Sequence, residues 1–572
     1  MRDSRSASQI LFGFLPQQTV DANKGVWRVR GWRSPRIERA VDHGTLRKEL
    51  CRLAAQWRAT GMDGGFVNDL ERGAKIEVLS LDERNGVELD QFPKLWVCNT
   101  CKRVHQSLGK KCECGSTKKG QLPFVGYHDK CGSLKEPFIK KCKEHKQVRY
   151  RAPGTATAKE IIFDCPICGV VIQKAFGFLQ CDCGDGPLRF DVHRSASVYT
   201  PKSIVIVNPP SQEKIKSIIA SGGKARALTW VINGMKEASV EEVETTVDML
   251  RRQLIEQKID EKLVEQMIAV ASQSGQVPKD DKLNLDIDAV QLEDAEDQAL
   301  TIALAVMNSR LRISDLIRDT DPYSELGILY KDKYPVALQK AGLEAVELLD
   351  KFPVLTGQYG YTRGNGEPTE SKLNTFRDRT GGYLVYADIA ETEALFIKLS
   401  AVKVADWLNS RGFKLTPYSD EVSARIAILK SAELPKIGQP LDEITVGSEV
   451  FSLIHSYAHR FIRLGAAWAG IDRNSLSELL VPLHLGFYVY AAARGDFVLG
   501  GLQAVFESDL DKLLLDIRNG EHRCALDPGC AHSGGACMAC LHIGEPSCRF
   551  YNTYLSRDVL SGQLGYLSAS SK

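Results

Sequence analysis

The chain has 572 residues, of which 43% are hydrophobic and 26% are charged, a composition typical of folded soluble proteins and not of disordered, collagenous or coiled-coil ones. Its 74 Lys and Arg residues nearly balance its 72 Asp and Glu residues, so the net charge of +2 indicates no particular partner. No long apolar run follows the amino terminus, and Pro482, His484 and Gly486 interrupt the longest apolar stretch, residues 479–493. We therefore expect a cytoplasmic protein without a secretory signal or a membrane span.

Apolar periodicity predicts a helix over residues 46–57, a buried strand over 200–210, a long helical segment over 240–271 and a helix over 295–317. Glycine and proline predict a loop over 356–368. Further along the chain, Ser448 is predicted to cap a helix over 449–465.

Together these elements predict an α+β multidomain fold, with zinc-ribbon-like β modules near the amino-terminal third, a helical insertion and a carboxy-terminal mixed α/β domain with a zinc site. We divide the chain into four regions: a mixed α/β region (1–93), tandem zinc-ribbon-like modules (94–198), a helical region with acidic helices (199–335) and a mixed α/β domain that ends in a zinc-binding cluster (336–572).

The sixteen cysteines fall at position 51, between 98 and 183, and between 524 and 548. Closely spaced cysteine pairs in a large chain without an export signal indicate metal sites and not disulfides, and ribbon-like spacing favours zinc over an iron–sulfur cluster. We expect Cys51, alone on an apolar helical face, to lie in the core. The spacing predicts two four-cysteine zinc sites, the first at Cys98, Cys101, Cys112 and Cys114 and the second at Cys165, Cys168, Cys181 and Cys183.

Two further clusters have less regular ligands. Between the two four-cysteine sites lies a set with similar outer spacing, which predicts a third zinc at His128, Cys131, Cys142 and His145. Near the carboxy terminus, we assign Cys537, Cys540, Cys548 and Cys530 to one site and hold Cys524 in reserve. The sequence thus predicts three to four structural zinc ions.

The sequence contains no recognisable catalytic constellation, and we predict no catalytic residue. It has no phosphate-binding loop of the NTPase kind and no Gly-x-Ser-x-Gly nucleophile elbow. His455 and His459 lie four residues apart on a predicted helix and could reach one metal ion, but Ser456 stands where a zinc protease has glutamate. We expect these two histidines to face the core or to cap a helix.

Charge is segregated although the total is nearly neutral. Residues 94–151 contain 15 Lys and Arg against 4 Asp and Glu, a net charge of +11, whereas residues 237–297 contain 6 against 17, a net charge of −11. Both segments can be ordinary solvated surfaces. Alternatively, the basic segment contacts phosphate while the acidic helices face a partner or shield the basic groove. The candidate DNA-contacting residues are Lys110, Lys111, Lys118, Lys119, Lys140 and Lys141.

Several short motifs are spread over residues 94–560, at 194–199 (Arg-Ser-Ala-Ser-Val-Tyr), 360–363 (Gly-Tyr-Thr-Arg), 393–396 (Glu-Ala-Leu-Phe), 453–459 (Leu-Ile-His-Ser-Tyr-Ala-His) and 499–502 (Leu-Gly-Gly-Leu). With the cysteine block and the closing residues Cys537–Leu541, Ser547, Cys548, Asn552, Leu555 and Arg557, the chain resembles the zinc-bearing B subunit (DrmB family) of DISARM anti-phage systems. Its closing region also resembles the zinc-binding domain of MrfA-type DNA helicases.

This resemblance implies a non-catalytic partner of a large helicase-type ATPase subunit, acting on foreign DNA in a bacterium. Composition and spacing alone indicate only a zinc-rich scaffold associated with nucleic acid. Two classes of function stay open at this point. The chain is either a binding subunit that completes a helicase complex or a metal-dependent DNA-processing enzyme, such as a nuclease whose site is assembled from dispersed residues.

Overall fold

The computed structural model has a mixed α+β fold with several small β-sheets, as the sequence predicts, and describes residues 10–568 except 12, 23, 40, 82–85, 153–157, 238–245, 258, 274–284, 436–443, 493–498, 521–522, 533–534, 545–546, 549 and 551. The chain forms two compact units. The amino-terminal unit joins Met1–Pro209 to Leu355–Ile389, and the carboxy-terminal unit joins Pro210–Val354 to Ala390–Lys572. Within the described ranges, no helix is long and apolar enough to cross a membrane.

The amino-terminal unit contains the helices His43–Ala59 and Phe66–Glu71, and the first of these confirms the helix predicted over 46–57. The Asp42 side chain accepts a hydrogen bond from the N–H of Thr45 and so caps that helix. Apolar residues on one face of the helix pack into the core of the unit. Outside the cysteine block, defined here as residues 94–198, the strands that lie wholly in this unit are Thr19–Ala22, Gly25–Trp32, Arg36–Ile37, Ile76–Ser80, Val87–Gln91, Thr200–Val207 and Asn374–Thr375.

The cysteine block consists of three antiparallel sheets, each with three very short strands. In sheet order, these strands are Val104–His105, Trp96–Cys98 and Lys119–Gln121; Leu134–Lys135, Phe124–Tyr127 and Arg189–Val192; and Arg149–Arg151, Ile162–Asp164 and Val171–Lys174. Sheets of this size bury little apolar surface and need another source of stability.

Two long strands, Leu343–Thr362 and Tyr383–Leu399, each begin in one unit and end in the other. The first strand shows that the loop predicted over 356–368 is wrong as far as residue 362. A Cβ on Gly360 would lie 2.5 Å from the carbonyl oxygen of Asn374, with which the neighbouring residue Tyr361 is paired. Glycine here permits close approach of two backbones and does not mark a turn.

The carboxy-terminal unit is mainly helical around an antiparallel sheet. Leu476–Val481 pairs with Gly486–Ala491, which pairs in turn with residues 394–398. A short strand, Leu311–Arg312, pairs with residues 347–348. Among the described residues of the unit, the α-helices are Gln212–Ala220, Gly223–Ile232, Thr246–Glu256, Glu261–Gln273, Ala289–Val306, Ile313–Asp319, Glu325–Ile328, Tyr334–Ala341, Ala401–Ser410, Glu421–Ser431, Val446–Ala469, Gly501–Ala504, Leu510–Asn519, Gly529–His532 and Arg557–Ser561.

Three of the predicted helices in this unit have different bounds in the structure. The segment predicted over 240–271 is two helices, with Asp260 accepting a hydrogen bond from the N–H of Lys262 at the start of the second, and residues 240–245 lie outside the described residues. The helix predicted over 295–317 ends at Val306, because a short strand follows before the next helix. The helix predicted over 449–465 begins earlier, and its N-cap is Thr445, which forms a capping box with Ser448.

Candidate metal centres

The first predicted cluster is confirmed as a group of four converging sulfurs. Cys98 and Cys114 lie 3.6 Å apart, and Cys101 and Cys112 lie 3.3 Å apart, measured between Sγ atoms. These distances exclude disulfides and are near the S–S edge of roughly 3.8 Å expected for thiolates at ~2.3 Å from one zinc. Burial raises the pKa of Cys98, but the backbone N–H groups of Cys101 and Thr100 lower it, to about 6. Cys98 therefore has the thiolate character that metal binding requires, whereas burial raises the pKa of Cys112 to about 12.

The next four pairs of metal-binding residues form two clusters, but the prediction of which pairs share a cluster is wrong. His128 and Cys131 converge with Cys181 and Cys183, whereas Cys142 and His145 converge with Cys165 and Cys168. In the first of these, the Nδ1 atom of His128 lies 3.1 Å from the Sγ of Cys131 and 3.4 Å from that of Cys183. Each cluster thus has one imidazole and three sulfurs, in place of one four-cysteine site and one site with two histidines.

Strand pairing explains why the two clusters are nested. Phe124–Tyr127 pairs with Arg189–Val192 so that Tyr127 faces Arg189, which brings His128 close to the chain that carries Cys183. Arg149–Arg151 pairs with Ile162–Asp164, which brings the Cys142–His145 pair close to Cys165 in the same way. The outer cluster therefore encloses the inner one along the chain. Spacing within each pair is a local signal and does not reveal this pairing.

The carboxy-terminal cluster consists of Cys524, Cys530, Cys537 and Cys540. Cys524 is therefore a full member, and the assignment of Cys548 to this site is wrong. The Sγ atoms of Cys524 and Cys537 are 3.5 Å apart, and those of Cys530 and Cys540 are 3.7 Å apart. Arg557 donates two hydrogen bonds to the carboxylate of Asp527, at 3.0 and 2.7 Å, and Asp527 accepts a hydrogen bond from the N–H of Cys524. This ion pair fixes the loop that presents the first cysteine.

Cys548 lies instead beside His455, His459 and Glu478, and all four residues are buried. The two histidines thus face the core, as the sequence predicts, but they share it with ionisable groups. Sequence reasoning missed Glu478 completely. The signal that could have revealed it is a single charged residue within the otherwise uncharged and largely buried strand Leu476–Val481.

Five of the six candidate lysines are exposed, and they flank metal-binding pairs. Lys110, Lys111 and Lys118 lie around Cys112 and Cys114, while Lys140 and Lys141 directly precede Cys142. The sixth, Lys119, is partly buried, and its Nζ donates hydrogen bonds to the carbonyl oxygens of Ser107 and Lys110.

Beside the first cluster lies a cleft of about 940 Å³ that the sequence did not predict. Its lining includes four basic side chains, of which Arg149 and Arg151 are both paired with the buried Asp164. Its other two are Lys102 and Arg103, and the Nε of Arg103 donates a hydrogen bond to Gln147. The cleft is therefore basic, although some of its arginine N–H groups already donate hydrogen bonds to Asp164 and Gln147.

A family model described as a domain of unknown function (DUF8724) matches residues 6–200. This match contains the whole cysteine block and ends where the strand Thr200–Val207 begins. No curated protein matches the chain.

Proposed function

We propose that the chain is a non-catalytic, zinc-binding subunit of a DISARM-like anti-phage complex, in which it partners a helicase-type ATPase and helps that enzyme to engage foreign DNA. The observation that carries this proposal is the set of five exposed lysines beside two metal-binding clusters. Rigid, positively charged modules are suited to phosphate contacts, which supply most of the affinity of proteins for nucleic acid.

Zinc is the ion that best fits the four cysteine-rich clusters. Each offers three or four thiolates and at most one imidazole, and soft donors in a four-ligand arrangement favour zinc over magnesium, calcium or manganese. Four protein ligands complete a tetrahedron and leave no open position for a substrate. We therefore assign these ions a structural role, in keeping with a subunit that binds and does not catalyse.

The motifs behind the resemblance make internal contacts, which also supports a scaffold role. Arg363 is fully buried and donates hydrogen bonds to the carbonyl oxygens of Gly132, Val198 and Gln17. The carboxylate of Glu393 accepts hydrogen bonds from the N–H groups of Leu502 and Gln503, at 3.1 Å each, and so caps the helix Gly501–Ala504. Such contacts maintain a fold, whereas a catalytic group must reach a substrate.

DNA binding can be tested with the chain purified in complex with its ATPase. Replacing Lys110, Lys111, Lys118, Lys140 and Lys141 with glutamate should weaken binding and flatten its dependence on salt, because each lost phosphate contact removes about 0.9 from the slope of log K against log salt. A matched control carries the same five charge reversals on exposed lysines of the other unit, at Lys331, Lys333, Lys340, Lys414 and Lys430. Equal affinity of the two variants at ~100 mM salt would reject these lysines as the DNA contact.

The non-catalytic part of the proposal has a separate test. The isolated chain should show no DNA-stimulated ATP hydrolysis, and co-expression with the ATPase should give a stable complex. Degradation of plasmid DNA by the isolated chain with Mg²⁺ or Mn²⁺, abolished by chelation, would instead support the nuclease alternative. An inactive chain that elutes apart from the ATPase would contradict the proposed partnership.

A further inference from the structure

Four ionisable side chains, none of them a member of the four-cysteine cluster, converge in the core of the carboxy-terminal unit. His455 and His459 lie one turn apart on the helix Val446–Ala469, Glu478 lies on the strand Leu476–Val481, and Cys548 lies in the loop beyond them. The exposed fraction is 0% for the first three and 2% for Cys548. A glutamate is almost never buried so completely unless it is paired or binds a metal ion.

The donor atoms of these residues face one another. The Nε2 of His455 lies 3.1 Å from the Oε1 of Glu478 and 3.3 Å from the Sγ of Cys548. The Nε2 of His459 lies 3.4 Å from the same carboxylate oxygen. One donor atom from each residue falls within 4.8 Å of all the others, the separation expected for ligands that share one ion.

Several polar atoms of these residues lack a hydrogen bond. Neither carboxylate oxygen of Glu478 nor the Nε2 of His459 has a hydrogen-bond partner among the described residues. Leaving a buried polar atom unsatisfied destabilises the folded state, and more so when the group is charged. A histidine–glutamate ion pair would satisfy them only with a directed hydrogen bond, which the structure lacks. A cation bound to one atom of each residue accounts for the Oε1 of Glu478 and the Nε2 of His459 at once, and it neutralises the charge of the carboxylate.

The groups around the cluster orient its ligands. The Nδ1 of His459 lies 2.9 Å from the carbonyl oxygen of Leu541, to which it donates its proton, so its Nε2 lone pair faces the cluster. The Sγ of Cys548 accepts hydrogen bonds from the N–H groups of Phe550 and Asn552, at 3.4 and 3.3 Å. These two N–H groups fix the position of the sulfur.

The geometry points to a fifth metal centre, in which His455, His459, Glu478 and Cys548 bind one divalent transition-metal ion, with zinc as the expected ion. Two nitrogens, one oxygen and one sulfur suit zinc, and four protein ligands complete its tetrahedron. The charges of one thiolate and one carboxylate cancel those of the ion, whereas an occupied four-cysteine centre carries a net charge of −2. A neutral centre costs least to bury in a low-dielectric core. This inference does not depend on the proposed DNA-binding function.

The test is the metal content of the full chain after dialysis against a weak chelator. Wild-type protein should hold one more zinc than Glu478→Gln and one more than Cys548→Ser, with the metal of the other four clusters retained. Glu449→Gln is a matched control. Glu449 is a buried glutamate on the helix that carries the two histidines, and its Oε2 lies 2.6 Å from the Nε of Arg411. Cys51→Ser controls for loss of a cysteine, and both controls should keep the wild-type count.

Equal metal content in the wild-type chain and both test variants would overturn the inference. If a variant loses all its metal because it fails to fold, crystals of the wild-type chain decide the question by anomalous scattering at the zinc edge. A peak between His455, His459, Glu478 and Cys548 would support the fifth centre. Its absence from a map that shows the other four would overturn it.

Discussion

The cysteine block and the helix that carries His455 and His459 place metal ligands in opposite ways. In the cysteine block, the ligands follow strands of two to four residues around a small apolar cluster, and each of the three metal-binding clusters has one exposed thiol, at Cys114, Cys183 and Cys168. In the carboxy-terminal unit, Val446–Ala469 is a 24-residue helix with most of its length buried. Where the apolar core is small, metal must organise the fold; where it is large, the fold can organise the ligands first.

The largest expected effect of this difference is on metal removal. A strong chelator should unfold the cysteine block, because each structural zinc contributes on the order of 10 kcal/mol to folding. Backbone amides of residues 94–198 should lose protection from hydrogen exchange, measured by mass spectrometry, while those of Val446–Ala469 should stay protected. Equal loss of protection in both regions would contradict the comparison.

The nested pairing predicts a distinctive metal count. Cys168→Ser combined with Cys183→Ser should remove two metal ions, because the structure places these residues in different clusters. Cys98→Ser combined with Cys114→Ser should remove one, since both belong to the first cluster. Elemental analysis separates the two results. Loss of a single ion from the first variant would restore the sequential pairing that the sequence suggested.

A smaller effect is expected at the start of the helix that carries the two histidines. Thr445→Ala removes the oxygen that accepts a hydrogen bond from the N–H of Ser448 and should lower the free energy of unfolding by about 1 kcal/mol. The metal content should not change, because the helix is held mainly by its buried face. Chemical denaturation and elemental analysis on the same sample measure both quantities. Loss of a metal ion from this variant would show that the ligand helix is not formed in advance.

Local signals predicted much of the fold. Apolar periodicity identified the helix His43–Ala59 and the strand Thr200–Val207, and it located most of Val446–Ala469. The loop prediction failed at Gly360, because a glycine required for close approach between strands has the same sequence signature as a glycine in a turn.

The sequence also predicted only part of the candidate metal sites. The pairs of ligands were visible because only one or two residues separate their members, and the first cluster was complete because its pairs are neighbours in the chain. The pairing in the outer cluster depends on two strands more than sixty residues apart, Phe124–Tyr127 and Arg189–Val192, and no local pattern encodes that contact. The cluster around Glu478 unites a helix, a strand and a distant loop, so only the tertiary structure reveals it.

The nested arrangement also sets an order of assembly for the cysteine block. The inner cluster joins His145 to Cys165 across 20 residues, whereas the outer one joins Cys131 to Cys181 across 50. Closing the shorter loop costs less chain entropy, by about 0.8 kcal/mol at room temperature. Once closed, the inner loop also shortens the path that the outer pairs must bridge. The inner ion is therefore expected to bind first and the outer ion second, so that this part of the cysteine block folds from the inner cluster outwards.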